Sequence, residues 1–169
     1  IALYRQLLEK FPRFKFNDAT TYLLAYCLEK QNDFEGAQQA YRDVIDDYPK
    51  SKFVTEAWVR IGEYYFDDYD DPDALPQAAV AYEHAIKDTQ SPLYDKSLYK
   101  LGWTYYRQDR FEPAVQRLLA GDEAAADDRD RHRKRERHAG DHERGPERPR
   151  TQPGDRNAHC RACLSSTHR

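Results

Sequence analysis

Methionine is absent from the 169 residues, and cysteine occurs three times, glycine seven. One of those cysteines, Cys27, stands alone in the first two-thirds of the chain. A disulfide framework is therefore excluded there, and Cys27 reads as a small buried apolar residue. The glycines are scattered, so no glycine-rich phosphate loop is formed. No apolar run approaches the roughly 18–20 residues of a membrane span.

The most uneven absence divides the chain. Residues 122–169 contain no Phe, Tyr, Trp, Ile or Val, and Leu164 is their only large aliphatic. A segment without core-forming side chains cannot offset the entropy of ordering, roughly 1–2 kcal/mol per backbone residue. Disorder is the expectation for 121–169. That stretch carries eleven Arg and one Lys, against eight Lys and seven Arg in residues 1–121. Its residue types mostly have GC-rich codons, while the missing Phe, Tyr and Ile have AT-rich ones. It therefore reads as out-of-frame translation beginning near Ala120 or Gly121, and the other two frames of the parent DNA test this. Residues 1–121 hold 15 basic against 20 acidic side chains. A mildly acidic body offers no general footprint for nucleic acid.

What the first 120 residues do have is helical periodicity. Leu98, Leu101, Gly102 and Tyr105 recur at three- and four-residue intervals and share one helical face. Gln108, Asp109 and Arg110 make a short polar break, after which Phe111, Ala114 and Leu118 resume a second face. Pro113 is tolerated in a first turn. Two helices approach closely only where a side chain is nearly absent, which Gly102 and Ala114 allow, so Ser91–Leu119 is a helix hairpin.

The same order appears twice more. Thr21, Leu24, Ala25 and Leu28 precede Phe34, Ala37, Tyr41, Val44 and Pro49; Trp58, Ile61, Gly62 and Tyr65 precede Leu75, Ala78, Tyr82 and Ala85. Ala25, Gly62 and Gly102 are 37 and 40 residues apart, and Tyr4, Tyr41, Tyr82 and Leu118 are 37, 41 and 36 apart. Small residues at these sites let successive hairpins nest. Tyr4, Leu7, Leu8 and Pro12 match the end of one more unit, so the chain begins inside a repeat. With no Met it is expected to be a fragment, any leader or lipid-attachment Cys lying outside it.

The order large-x-x-Leu-Gly-x-x-Tyr, then aromatic-x-x-Ala, resembles the tetratricopeptide repeat, a helix-turn-helix unit of about 34 residues. The resemblance implies an all-α, right-handed solenoid of antiparallel helix hairpins over 1–120: a partial repeat at 1–12, then repeats at about 18–49, 55–90 and 94–120. Tyr48-Pro49-Lys50-Ser51 is similar to repeat endings in bacterial envelope members, including the outer-membrane assembly lipoprotein and the Tol–Pal accessory protein. A place in the periplasm or at the outer-membrane periphery is implied by that likeness alone.

In this family the first helix of each hairpin lines a concave groove, and such surfaces bind other proteins. Carried over residue by residue, the groove positions are Tyr22, Tyr26, Glu29 and Lys30; Val59, Glu63, Phe66 and Asp67; and Tyr99, Trp103, Tyr106 and Arg107. Aromatics dominate, which suits a peptide or helix of a partner protein. About half of them are expected to pack between neighbouring hairpins instead. Tyr22 and Tyr26 stand where the Lys and Asn of the chaperone-binding carboxylate clamp would be, so an acidic chaperone tail is not the expected ligand.

Other candidates favour bland readings. Arg129–His138 lacks the aromatics that stack bases, and His159, Cys160 and Cys163, with His168 further on, make a single C-x-x-C half-site with no second Cys pair, where structural zinc typically takes two pairs across a scaffold that closes around it. The acidic loop Asp67, Asp68, Asp70, Asp71 and Asp73 lacks the spacing of a calcium loop and reads as a solvated turn. His84 is the only histidine of the body, and nothing in the sequence places a nucleophile beside it. The reading is a non-catalytic protein-interaction scaffold, with no cofactor, metal or small-molecule substrate. Its alternatives are a self-assembly module stacking through solenoid ends and nucleic-acid binding through the Arg-rich tail.

Overall fold

A computed structural model describes residues 1–68 and 71–143, and the chain forms two compact units, 1–129 and 130–169. Among the described residues there are seven helices and no strand: α1 (Ala2–Lys10), α2 (Asn17–Lys30), α3 (Phe34–Asp47), α4 (Val54–Asp67), α5 (Ala74–Ala85), α6 (Tyr94–Arg107) and α7 (Phe111–Glu143). In the first unit they pair as α2 with α3, α4 with α5, and α6 with the start of α7, while α1 packs on α2. The result is an all-α solenoid of helix hairpins, with α1 as the second helix of the partial repeat.

Short turns close two of the hairpins. Asn32 and Asp109 adopt positive φ, 61° and 58°, a conformation that Asn and Asp tolerate better than other side chains. Each turn is sealed by backbone bonds, Asp33 N to Leu28 O and Arg110 N to Tyr105 O. Asp33 then caps α3 by accepting the Gly36 amide at 3.1 Å. In α4–α5 the acidic loop replaces this turn, and there Asp68 and Asp71 carboxylates accept the amides of Asp71 and Asp73.

Between hairpins, serine shapes the linkers. Ser51 and Ser91 accept the amides of Phe53 and Leu93 through their hydroxyl oxygens just before α4 and α6. Ser51 also donates to Asp18 at 2.7 Å, tying the linker back to the preceding α2.

Two apolar clusters run through the stack. One holds Leu24, Ala25, Leu28, Tyr41, Val44 and Ile61; the other holds Val59, Ala78, Tyr82, Leu101, Tyr105 and Ala114. Each bridges neighbouring hairpins, and fully burying a Leu, Val or Ile contributes about 1.5–3 kcal/mol.

The small residues sit at the contacts. Ala25 is fully buried, and a Cβ on Gly62 would lie 2.7 Å from the Tyr82 ring. On Gly102 it would lie 2.7 Å from Leu118 and 3.2 Å from the Ala114 carbonyl. For the two glycines the close approach is therefore between the two helices of one hairpin, and the nesting of successive hairpins rests on larger side chains such as Val59 and Leu101.

Two expectations shift. Helix α7 does not stop at residue 120 but continues to Glu143, through Ala-rich and charged residues that are good helix formers. The remainder of the expected tail, including His159, Cys160, Cys163 and His168, lies outside the described residues, as does Asp70. Cys27 is half-buried rather than buried.

Candidate functional site

The first helices of the hairpins, α2, α4 and α6, present the residues expected to line a groove, and burial sorts those residues into two groups. Tyr22 and Val59 are 8% and 2% exposed, so they are not available to a partner. The physical reason is the next hairpin. Tyr22 stacks on Phe53 with ring centroids 4.8 Å apart and donates its hydroxyl to Glu56, while Val59 lies in the cluster with Leu101 and Tyr105.

Tyr99, at the equivalent position of the last hairpin, is 52% exposed. It leads a chain of edge-on aromatic contacts, Tyr99 to Trp103 at 6.2 Å, Trp103 to Tyr106 at 5.5 Å and Tyr106 to Phe111 at 5.7 Å. All four rings are well exposed. Tyr26 is also exposed, with Lys30 over its ring at 5.0 Å and Arg60 at 5.9 Å.

Charged side chains stitch the three helices together. Arg60 on α4 reaches Glu29 of α2 at 3.8 Å, and on its own helix Glu56 at 3.8 Å and Glu63 at 3.5 Å. Lys96 of α6 meets Glu63 at 2.8 Å. Arg107 donates to the Phe66 carbonyl and lies 4.7 Å from its ring, with Lys100 at 5.1 Å on the same ring. Glu63 and Phe66 of α4 thus each meet a basic side chain of α6, Lys96 and Arg107 respectively.

Tyrosine hydroxyls complete the network. Tyr41 donates to Glu29 at 2.9 Å, and Tyr105 donates to Glu83. Burial, then the carboxylate partner, pushes the hydroxyl pKa values of Tyr22, Tyr41 and Tyr105 above the usual phenol range. Tyr82 is raised as well, by burial first and the fields of Glu63 and Asp67 next, yet its buried hydroxyl has no hydrogen-bond partner among the described residues.

A hollow of about 480 Å³ opens between α3, α4 and α6, with Glu29, Gln38, Arg60, Glu63 and Asp67 on its walls. Glu29, Glu63 and Asp67 were legible as groove positions, but Gln38, Arg60, Lys96 and Lys100 were not. Gln38 lies on a second helix, Arg60 and Lys100 fall between the carried-over positions, and Lys96 precedes those of its helix. A polar Gln one residue after the motif alanine, Ala37, was the available signal for the first.

His84 stacks on Trp58 with centroids 4.3 Å apart, and burial followed by the Lys87 charge lowers its pKa. Among the described residues no group of three or more His, Cys, Asp or Glu is placed to hold a metal ion, and no helix is long and apolar enough to cross a membrane.

A tetratricopeptide repeat profile matches residues 20–51 and 96–120, the first and last complete hairpins. The matches support a tetratricopeptide-repeat protein, and such repeats generally mediate protein–protein interactions and are typically not catalytic. The hairpin with the lengthened acidic turn lies between the two matched segments. A search of the curated proteins finds no match to the chain.

Proposed function

We propose that the face formed by α2, α4 and α6 is a docking groove for a peptide or helix of a partner protein, and that the protein is a scaffold rather than an enzyme. The observation that carries this reading is the run of exposed rings at Tyr99, Trp103, Tyr106 and Phe111, continuous with Phe66 and Arg107. Rigid aromatics with a polar edge give large contact area at low entropic cost and are the residues in which binding energy concentrates. The contacting set is Tyr26, Lys30, Glu63, Phe66, Tyr99, Trp103, Tyr106 and Arg107. The Tyr48-Pro49-Lys50-Ser51 ending supports a bacterial envelope complex as the setting.

A photo-crosslinking residue placed at Trp103 and, as control, at Val80 on α5 tests this in the producing cell. Discrete adducts to another protein are expected from position 103 and not from 80. Adducts from 80 alone would move the binding surface to the opposite helices.

A second reading has its own observation. Phe111, Val115 and Leu119 form a stripe on α7, 55–60% exposed, beside Tyr99, whose counterparts are covered by a following hairpin. That surface suits stacking of a second copy, which would make sedimentation of the isolated chain depend on concentration.

A further inference from the structure

The outer face of the last hairpin differs from the same face of the two before it. In those two it carries charge that the following hairpin answers. Glu29 meets Arg60, Arg42 donates to the Tyr65 hydroxyl, Glu63 meets Lys96, and Glu83 accepts from Tyr105. At the equivalent positions the last hairpin has Tyr106 for Glu29, Trp103 for Glu63, and Leu119 for both Arg42 and Glu83. With Tyr99, Phe111 and Val115 these make six large aromatic or apolar side chains, each 39–60% exposed. They run ring to ring from α6 to Phe111 and then at every fourth residue along α7.

The chemistry of this face selects its occupant. A further hairpin of the same make would bring a cation such as Arg60 or Lys96 to positions where no carboxylate stands, and burying an unpaired charge is costly. The other end of a second copy does not fit either. There α1 packs Ile1, Tyr4 and Leu8 against the first cluster, in the place that α7 would need. An identical apolar face meets neither obstacle, and a twofold axis lets each ring contact the rings of the other copy. Exposed charges at the rim are of both signs, Lys96, Asp109, Arg110 and Glu112. Side chains of this size offer about 200 Å² each when free, so at these exposures the six present about 600 Å². Two copies would bury about 1,200 Å², the lower end of the range for specific interfaces, so the pair holds yet can be opened.

We propose that the last hairpin pairs with its counterpart in a second copy about a twofold axis, α6–α7 against α6–α7, and that the pairing hides the docking rings Tyr99, Trp103 and Tyr106 until a partner protein displaces it. The proposal rests on the docking reading, gives the second copy one geometry, and makes self-pairing and partner binding mutually exclusive.

The full chain is followed by sedimentation equilibrium from micromolar to millimolar concentration. Its apparent mass is expected to rise from monomer to dimer and to stop there. Val115→Arg and, separately, Leu119→Arg, both at exposed positions on α7, are expected to hold the chain monomeric with an unchanged circular dichroism spectrum. Acrylamide quenching of Trp103, isolated by difference from Trp103→Phe, is expected to weaken severalfold as the native chain dimerises, but not in Val115→Arg. A photo-crosslinking residue at Val115 is expected to join α6 or α7 of the second copy. A monomer at every concentration, a mass that grows past the dimer, crosslinks to α1 or α2, or a dimer that survives both arginine substitutions overturns the pairing. Crosslinks from Trp103 to another protein decide the docking reading separately: a chain that yields them yet never self-associates keeps that reading and loses this one.

Discussion

At the scale of single residues, fit is set by the missing side chains. A methyl group at Gly62 would press on the Tyr82 ring at 2.7 to 2.9 Å, and that ring is wholly buried. Overpacking of this kind costs about 1–3 kcal/mol, more than the roughly 1 kcal/mol that Ala gains over Gly in a helix. Gly62→Ala is expected to lower the denaturant midpoint. Gly121→Ala is expected to raise it, since its Cβ would meet only ordinary contacts at 3.5 to 3.6 Å. The tyrosines make a pH prediction. Tyr22, Tyr41 and Tyr82 hold their protons in the folded state well above the unfolded value of 10.0. Above that pH the unfolded chain binds fewer protons than the folded one, so stability is full below about pH 10 and falls as pH rises. Chemical denaturation between pH 8 and 11 measures this loss, and Tyr82→Phe should reduce it. Burial at Gly62 and Ala25 was legible because a small residue recurred at repeat spacing. The lone hydroxyl of Tyr82 was not, since hydrogen-bond partners depend on which hairpin lies opposite.

At the scale of the helix, the hairpins owe their closure to turn chemistry that a sequence states openly. Asn32 and Asp109, 77 positions apart, take the same left-handed conformation in the same backbone-bonded turn. Asn32→Gly is expected to leave stability almost unchanged. Asn32→Ala is expected to cost about 1 kcal/mol, read as a lower thermal midpoint, because the left-handed region penalises a Cβ that lacks the side-chain bonds of Asn. The helix stop at Pro49 and the helix start around Pro113 were visible for the same reason. The end of α7 was not. Absence of core residues after Gly121 marks where packing stops, but Ala, Arg and Glu sustain helical geometry without a core, and the helix runs on to Glu143. Loss of apolar residues and loss of helix are separate events.

At the scale of the molecule, stability in a stack of hairpins is the sum of each hairpin and its neighbour contacts. The proposed docking face follows from the same repetition: one position per repeat places Tyr22, Val59 and Tyr99 at equivalent sites of α2, α4 and α6. The alignment of those positions was legible, but their exposure was not, because Tyr22 and Val59 are covered by the hairpin that follows and Tyr99 is not. The electrostatic seam of Glu29, Arg60, Glu63 and Lys96 likewise exists only once three hairpins stand side by side. Binding is therefore expected to concentrate on α6, where the aromatic run is open. The most direct test is calorimetric titration of the partner captured at position 103 into the chain carrying Trp103→Ala and Tyr106→Ala together. Affinity is expected to fall by about 2–4 kcal/mol, the range for paired aromatic anchors, with the thermal unfolding curve unchanged. Undiminished affinity in a variant that folds normally would contradict the account.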